Sequence, residues 1–111
     1  MVLVALGRGE GAAGWSVSAP DGRTFAVFRL GDGSLRVTDA SCPHQGGPLA
    51  EGRIREAGDE ASTATVTCPW HSYRYSLEHG RCFTTSRYAI AVYPVVDVDG
   101  APHAEVPGCA T

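Results

Sequence analysis

No window of ten residues in this chain carries the apolar spacing of an amphipathic helix, whereas short apolar or alternating runs recur along it. MVLVAL at 1–6 reads as a first strand. RTFAVFRL at 23–30 is rich in β-branched and aromatic residues and reads as a second. Asp32-Gly33 then gives a turn, and SLRVTD at 34–39 alternates like the return strand of a hairpin. The pattern breaks over 41–50. STATVT at 62–67 is a further strand that runs straight into Cys68. Tyr73, Tyr75 and Leu77 alternate on one side of the next, which His79-Gly80 ends. YAIAVYPVVDVD at 88–99 reads as one long strand, with Pro94 marking an edge or bulge. Asp99-Gly100 closes it, and Ala104 to Val106 return as a last strand. The fold class is all-β, and the charged, small-residue run REAGDEAS is a solvent loop.

Composition narrows this further. With 111 residues the chain is read as one domain, residues 1–111, large enough for a modest core. Fourteen glycines and seven prolines suit many tight turns, not a helical bundle. The net charge of −3 has no basic run behind it, which speaks against nucleic acid as a partner. No segment approaches the roughly 18 apolar residues needed to span a bilayer, and MVLVAL lacks the basic flank of a signal peptide. The expected location is the cytoplasm. There, four cysteines lying near histidines point to metal ligands or reactive thiols sooner than to disulfides.

Chemistry concentrates in two short stretches, CPHQGG at 42–47 and CPWHSY at 68–73. Cys42 and His44 stand one residue apart, and Cys68 and His71 two apart. Together they offer two thiolates and two imidazoles, each pair on its own loop after a strand. Gly46 and Gly47 allow backbone N–H groups to approach a buried anion. Two sulfurs and two nitrogens would also suit zinc, although zinc modules usually space their ligands as C-x₂₋₄-C and H-x₃₋₅-H. A cysteine nucleophile lacks any oxyanion-hole signal or third partner. His79 and His103 read as solvated side chains, Cys82 and Cys109 as free thiols, and Trp15, Phe25 and Phe28 as core. Trp70, between Cys68 and His71, reads as packing over its loop.

CPH at 42–44 with CPWH at 68–71 resembles the signature of Rieske-type [2Fe–2S] proteins. The likeness continues through GGPLAEG at 46–52, YRYSLEHGR and YAIAVYPV, so that it covers about residues 38–99. It implies an antiparallel β-sandwich with a small cluster-binding subdomain made of two loops, about 41–50 and 67–76. It also implies one [2Fe–2S] cluster per chain, with Cys42 and Cys68 on one iron and His44 and His71 on the other. Neutral imidazoles in place of two thiolates raise the potential of such centres to about −150 to +300 mV. In this family a tyrosine at the place of Tyr75 can hydrogen-bond a ligand cysteine, and a low-to-middling potential, raised somewhat by Tyr75, is expected here. The loop-bridging disulfide of high-potential relatives would need cysteines at Gly47 and Trp70; neither Cys82 nor Cys109 matches by position. The chain departs from the family in three places. Twenty-three residues separate His44 from Cys68, Ser72 replaces a common glycine, and Thr84-Thr85-Ser86 lacks the usual proline.

The resemblance implies a ferredoxin that passes single electrons from a flavin-dependent reductase to a terminal oxygenase. That would make it an electron-transfer component and not an enzyme by itself. The alternative is the small subunit of an NADH-dependent assimilatory nitrite reductase, docked on a large subunit; a third reading is a zinc-stabilised interaction module. No Rossmann fingerprint for a nicotinamide or flavin is present. Residues 41–90 hold five arginines (53, 55, 74, 81, 87) and five acids (51, 56, 59, 60, 78), so strong electrostatic steering is not expected.

Overall fold

The computed structural model describes residues 2–7, 9, 12–42, 46–56, 63–70 and 72–107. The described secondary structure is ten strands and one 3₁₀ turn: β1 (Val2–Ala5), β2 (Gly14–Ser18), β3 (Thr24–Arg29), β4 (Leu35–Asp39), the 3₁₀ turn Leu49–Glu51, β5 (Arg53–Arg55), β6 (Thr65–Thr67), β7 (Arg74–Ser76), β8 (Val92–Tyr93), β9 (Val95–Val98) and β10 (Ala101–Val106). They form three antiparallel sheets, ordered β1-β10-β9, β2-β3-β4-β8 and β5-β6-β7.

β3 explains the layering. Its sequence TFAVFR has no polar residue between its ends, and Phe25, Ala26, Val27 and Phe28 are all buried. Successive side chains on a strand face opposite sides, so such a run must be covered on both. Phe25 and Val27 join Val4, Leu6, Val37, Ala104 and Val106 in one core, under the sheet of β1, β10 and β9. Ala26 and Phe28 join Val66, Tyr75, Leu77, Cys42 and Cys68 in a second, under the sheet of β5, β6 and β7. The central sheet therefore separates a distal core from a core that holds the two sequence-selected cysteines.

The strand expected over 88–99 is two strands in two sheets. β8 pairs with β4 in the central sheet, β9 pairs with β10 in the distal one, and Pro94 sits at the crossing. Proline cannot donate a ladder hydrogen bond, so pairing breaks there and the chain changes layer. Tyr93 is anchored at this corner: its hydroxyl donates to Asp39 Oδ1 at 2.6 Å, while Asp39 Oδ2 accepts from the Ala91 amide at 3.0 Å. Asp39 and the burial around Tyr93 push its hydroxyl up to about 12, with burial the larger cause. Two further strands carried no readable signal. β2 is GWSVS and β5 is only Arg53-Ile54-Arg55, and both form because a neighbouring strand supplies their ladder. Most of the REAGDEAS loop lies outside the described residues.

Candidate metal centre

Each selected cysteine follows a strand and opens a tight loop with the same backbone wiring. The Cys42 amide donates to the Gly47 carbonyl at 2.8 Å, and the Gly46 amide returns to the Cys42 carbonyl at 2.7 Å. In the second loop the Cys68 amide donates to the Tyr73 carbonyl at 2.7 Å, and the Ser72 amide returns to the Cys68 carbonyl at 3.0 Å. Numbered from its cysteine, each loop thus pairs N–H(i) with C=O(i+5), and N–H(i+4) with C=O(i). The residue at i+4 turns left-handed in both cases, Gly46 at φ 76° and Ser72 at φ 59°. Glycine takes that conformation freely, whereas a serine there carries about 1–2 kcal/mol of steric cost.

Both thiols point inward. Cys42 and Cys68 are 2% and 1% exposed, and they belong to one packed cluster. The Cys42 sulfur lies 3.0 Å from the Tyr75 hydroxyl, and Tyr75 is fully buried. Burial above all, then the hydrogen bond to Cys42 and the charges of Cys42, Cys82 and Cys68, hold the Tyr75 hydroxyl far above its ordinary value. It therefore stays protonated and is a donor to a Cys42 thiolate. The hydrogen bond that the resemblance implied for Tyr75 is thus formed, with Cys42 as its partner.

Gly47 marks where the loops meet. A Cβ at this position would stand 2.6 Å from the Cys68 sulfur and 3.4 Å from the Trp70 Cβ. Only a glycine lets the first loop come this close to the second. Positions 47 and 70 are consequently the adjacent pair that a loop-bridging disulfide would use, and a glycine and a tryptophan stand there instead. Cys42, Cys68 and Cys82 are free thiols.

A [2Fe–2S] cluster fits this arrangement on the donor chemistry shown: two dry thiols in one cluster, a protonated phenol on one of them, and loop backbone trimmed by glycine against the other. His44 and His71, like Cys109, lie outside the described residues. Among the described residues no three His, Cys, Asp or Glu side chains stand grouped as metal ligands. His79 is exposed, with its Nδ1 accepting from the Arg81 amide at 3.3 Å, and His103 bonds the Ala101 carbonyl at 3.0 Å. Both are far from ligand roles. Trp70, read as a packing residue, is 57% exposed. Thr84, in the segment without proline, accepts from the Arg74 amide through its hydroxyl at 3.2 Å, which ties that segment to β7.

Comparisons with known proteins bear on the domain as a whole. The family model of the Rieske [2Fe-2S] domain matches residues 13–94. A protein of Rhodococcus rhodochrous assigned as the oxygenase component of 3-ketosteroid-9-alpha-monooxygenase is 38% identical over 87 residues, which is 78% of this chain and 20% of that protein. The chain thus spans about a fifth of the length of the curated relatives it matches. Among solved structures, a protein of Mycobacterium tuberculosis assigned as an NADH-dependent nitrite reductase small subunit is 28% identical, with a TM-score of 0.73, covering 86% of this chain and 85% of its own. The ferredoxin of Sphingomonas yanoikuyae B1 shares the fold at 23% identity and a TM-score of 0.73, covering 96% and 98%.

Proposed function

The chain belongs to the Rieske [2Fe–2S] domain family, whose members carry electrons, and from that premise we propose that it serves as a ferredoxin between a flavin-dependent reductase and a terminal oxygenase. The observation that carries the reading is the matched pair of loops, which turn Cys42 and Cys68 into one dry core beneath Tyr75. In this reading Cys42 and Cys68 hold one iron and His44 and His71 the other. When bound, the cluster supplies a one-electron couple whose potential the imidazole ligands raise. The protein's own residues do the rest. Cys42 and Cys68 anchor the group below the surface, Phe28, Leu49, Val66 and Ile90 exclude water from it, and Tyr75 donates to the sulfur of Cys42.

A second reading has its own support. The nitrite reductase small subunit from Mycobacterium tuberculosis matches at 28% identity over most of both chains. In that role the domain would sit as a fixed subunit on a large partner. The oxygenase relatives match over only a fifth of their own length, so they bear on the domain and leave the carrier role to the experiment below.

Anaerobic purification with iron and acid-labile sulfide analysis, followed by EPR before and after dithionite, tests the site. Two irons and two sulfides per chain are expected, with a rhombic signal only after reduction. One zinc and no sulfide would overturn the electron-carrier reading. Turnover assays with a purified flavin reductase and oxygenase, against copurification with a sirohaem subunit, separate the two roles.

A further inference from the structure

The near-neutral charge of the cluster half conceals a sorted surface. In the sheet of β5, β6 and β7, Arg53, Thr67 and Arg74 stand in one row across the ladder, and Arg55 lies two residues from Arg53 on the same side of β5. These three arginines line one groove of about 600 Å³, whose wall includes Cys68. Glu51 is the one carboxylate lining it among the described residues. Three of the five arginines of residues 41–90 therefore line this groove with one acid among the described residues, on a chain whose net charge is −3. Arg53 and Arg55 are exposed. The Arg74 guanidinium lies 5.9 Å from the ring centroid of Phe83, itself 48% exposed at the groove's edge. Trp70, 57% exposed, follows Pro69 of the same wall.

Two physical features indicate the occupant. Arginine forks match carboxylates in paired geometry. Exposed aromatics beside arginine are the residue types that anchor protein interfaces, and a free inorganic anion has no use for them. We propose that this groove docks a carboxylate-rich surface of the redox partner, laying acidic side chains against Arg53, Arg55 and Arg74 beside Cys68. The inference deepens the electron-carrier reading and rests on it.

The test follows the sign of a salt effect. The holoprotein is reduced with dithionite, freed of excess reductant and mixed with ferricyanide in a stopped-flow instrument. Each oxidation moves one electron from the protein to one ferric ion, which becomes ferrous. If the net charge of −3 governs the encounter, salt screens a repulsion and the rate rises. If the groove governs it, the rate falls, here by about tenfold between about 0.02 and 0.5 M salt. The double variant R53Q/R55Q, on an exposed strand, is expected to lose most of that fall, and R53K/R55K to keep it. A hexaglutamate peptide should slow the wild-type reaction beyond the general salt effect, while inorganic phosphate of equal ionic strength slows it only as much as simple salt does. A wild-type rate that rises with salt, or a salt effect identical in R53Q/R55Q, would overturn the proposal. Phosphate competing as well as the peptide would replace the docking surface with a small-anion pocket. Iron and sulfide analysis of the same samples separates the failures: full clusters without a groove effect sink this inference alone, whereas absent clusters sink the carrier reading with it.

Discussion

The two faces of β3 support cores of different kind. On the distal side, Phe25 and Val27 meet Val4, Leu6, Val37, Ala104 and Val106, and most of that core is aliphatic, on strands of four to six residues. On the cluster side, Ala26 and Phe28 meet two thiols and a phenol, and the covering strands β5, β6 and β7 are three residues each. Apolar area holds the first core by itself. The second replaces ladder length with loop wiring and close backbone approach, and its polar atoms have defined partners. The difference teaches that one strand can serve stability on one face and chemistry on the other. Damage to each face should then have a separate signature, because metal binding couples to the folding of its own site.

The largest expected effect is on the distal face. Phe25→Ala removes a ring that is 2% exposed and packs edge-on against Tyr93 at 5.2 Å between centroids. A loss of about 3–5 kcal/mol in denaturant unfolding is expected, with iron per folded chain unchanged. Iron falling in proportion would show that the two cores are one unit.

Gly47→Ala attacks the other face. Its Cβ would meet the Cys68 sulfur at 2.6 Å, so a loop must shift, at about 1–3 kcal/mol. Iron retention after chelator challenge should drop, while hydrogen exchange of β3 amides keeps its wild-type protection. Normal retention would mean that the loops tolerate separation.

Tyr75→Phe changes the electronics of the cluster side with little change in shape. The hydroxyl's hydrogen bond to Cys42 is stronger in the reduced, more negative state. Its loss should lower the potential by on the order of 60 mV, the one-electron equivalent of ~1.4 kcal/mol. An unchanged potential in a redox titration would remove Tyr75 from the tuning of this site.

Ser72→Gly should stabilise the second loop by about 1 kcal/mol, since the left-handed backbone there costs serine and not glycine. Slower iron release is the readout; no change would place the loop's weakness elsewhere.

The smallest effect lies at the corner between sheets. Tyr93 is pushed up to about 12 when folded, so the folded chain keeps a proton that the unfolded chain releases from about pH 10. That contribution is complete below pH 10 and is lost as pH rises through 12. Denaturation at pH 9 and pH 11, values that bracket the tyrosine range, should show a smaller alkaline loss in Tyr93→Phe than in wild type. Tyr75 is shifted the same way and stays in the variant, so the loss shrinks without vanishing. Equal losses would show that neither burial nor Asp39 keeps Tyr93 protonated through that range.

Local pattern carried much of this protein. The unbroken apolar run of β3, the Asp32-Gly33 turn and the alternation through Tyr75 and Leu77 determine strands, because side-chain direction on a strand depends only on position along it. The spacings of Cys42 with His44 and of Cys68 with His71, with their flanks, selected the candidate site, and the family resemblance named Tyr75 as a hydrogen-bond partner for one of the cysteines. What remained hidden depends on residues distant in sequence. β2 and β5 exist because a partner ladder is available, and Pro94 reads the same in a bulge as at a crossing between sheets. The shared loop wiring and the contact between Gly47 and Cys68 arise only when two segments converge. Charge shows the distinction most plainly: five arginines and five acids cancel over residues 41–90, and only the register of β5, β6 and β7 sets Arg53, Arg55 and Arg74 in one groove. A sum over residues has no direction, whereas the folded surface does.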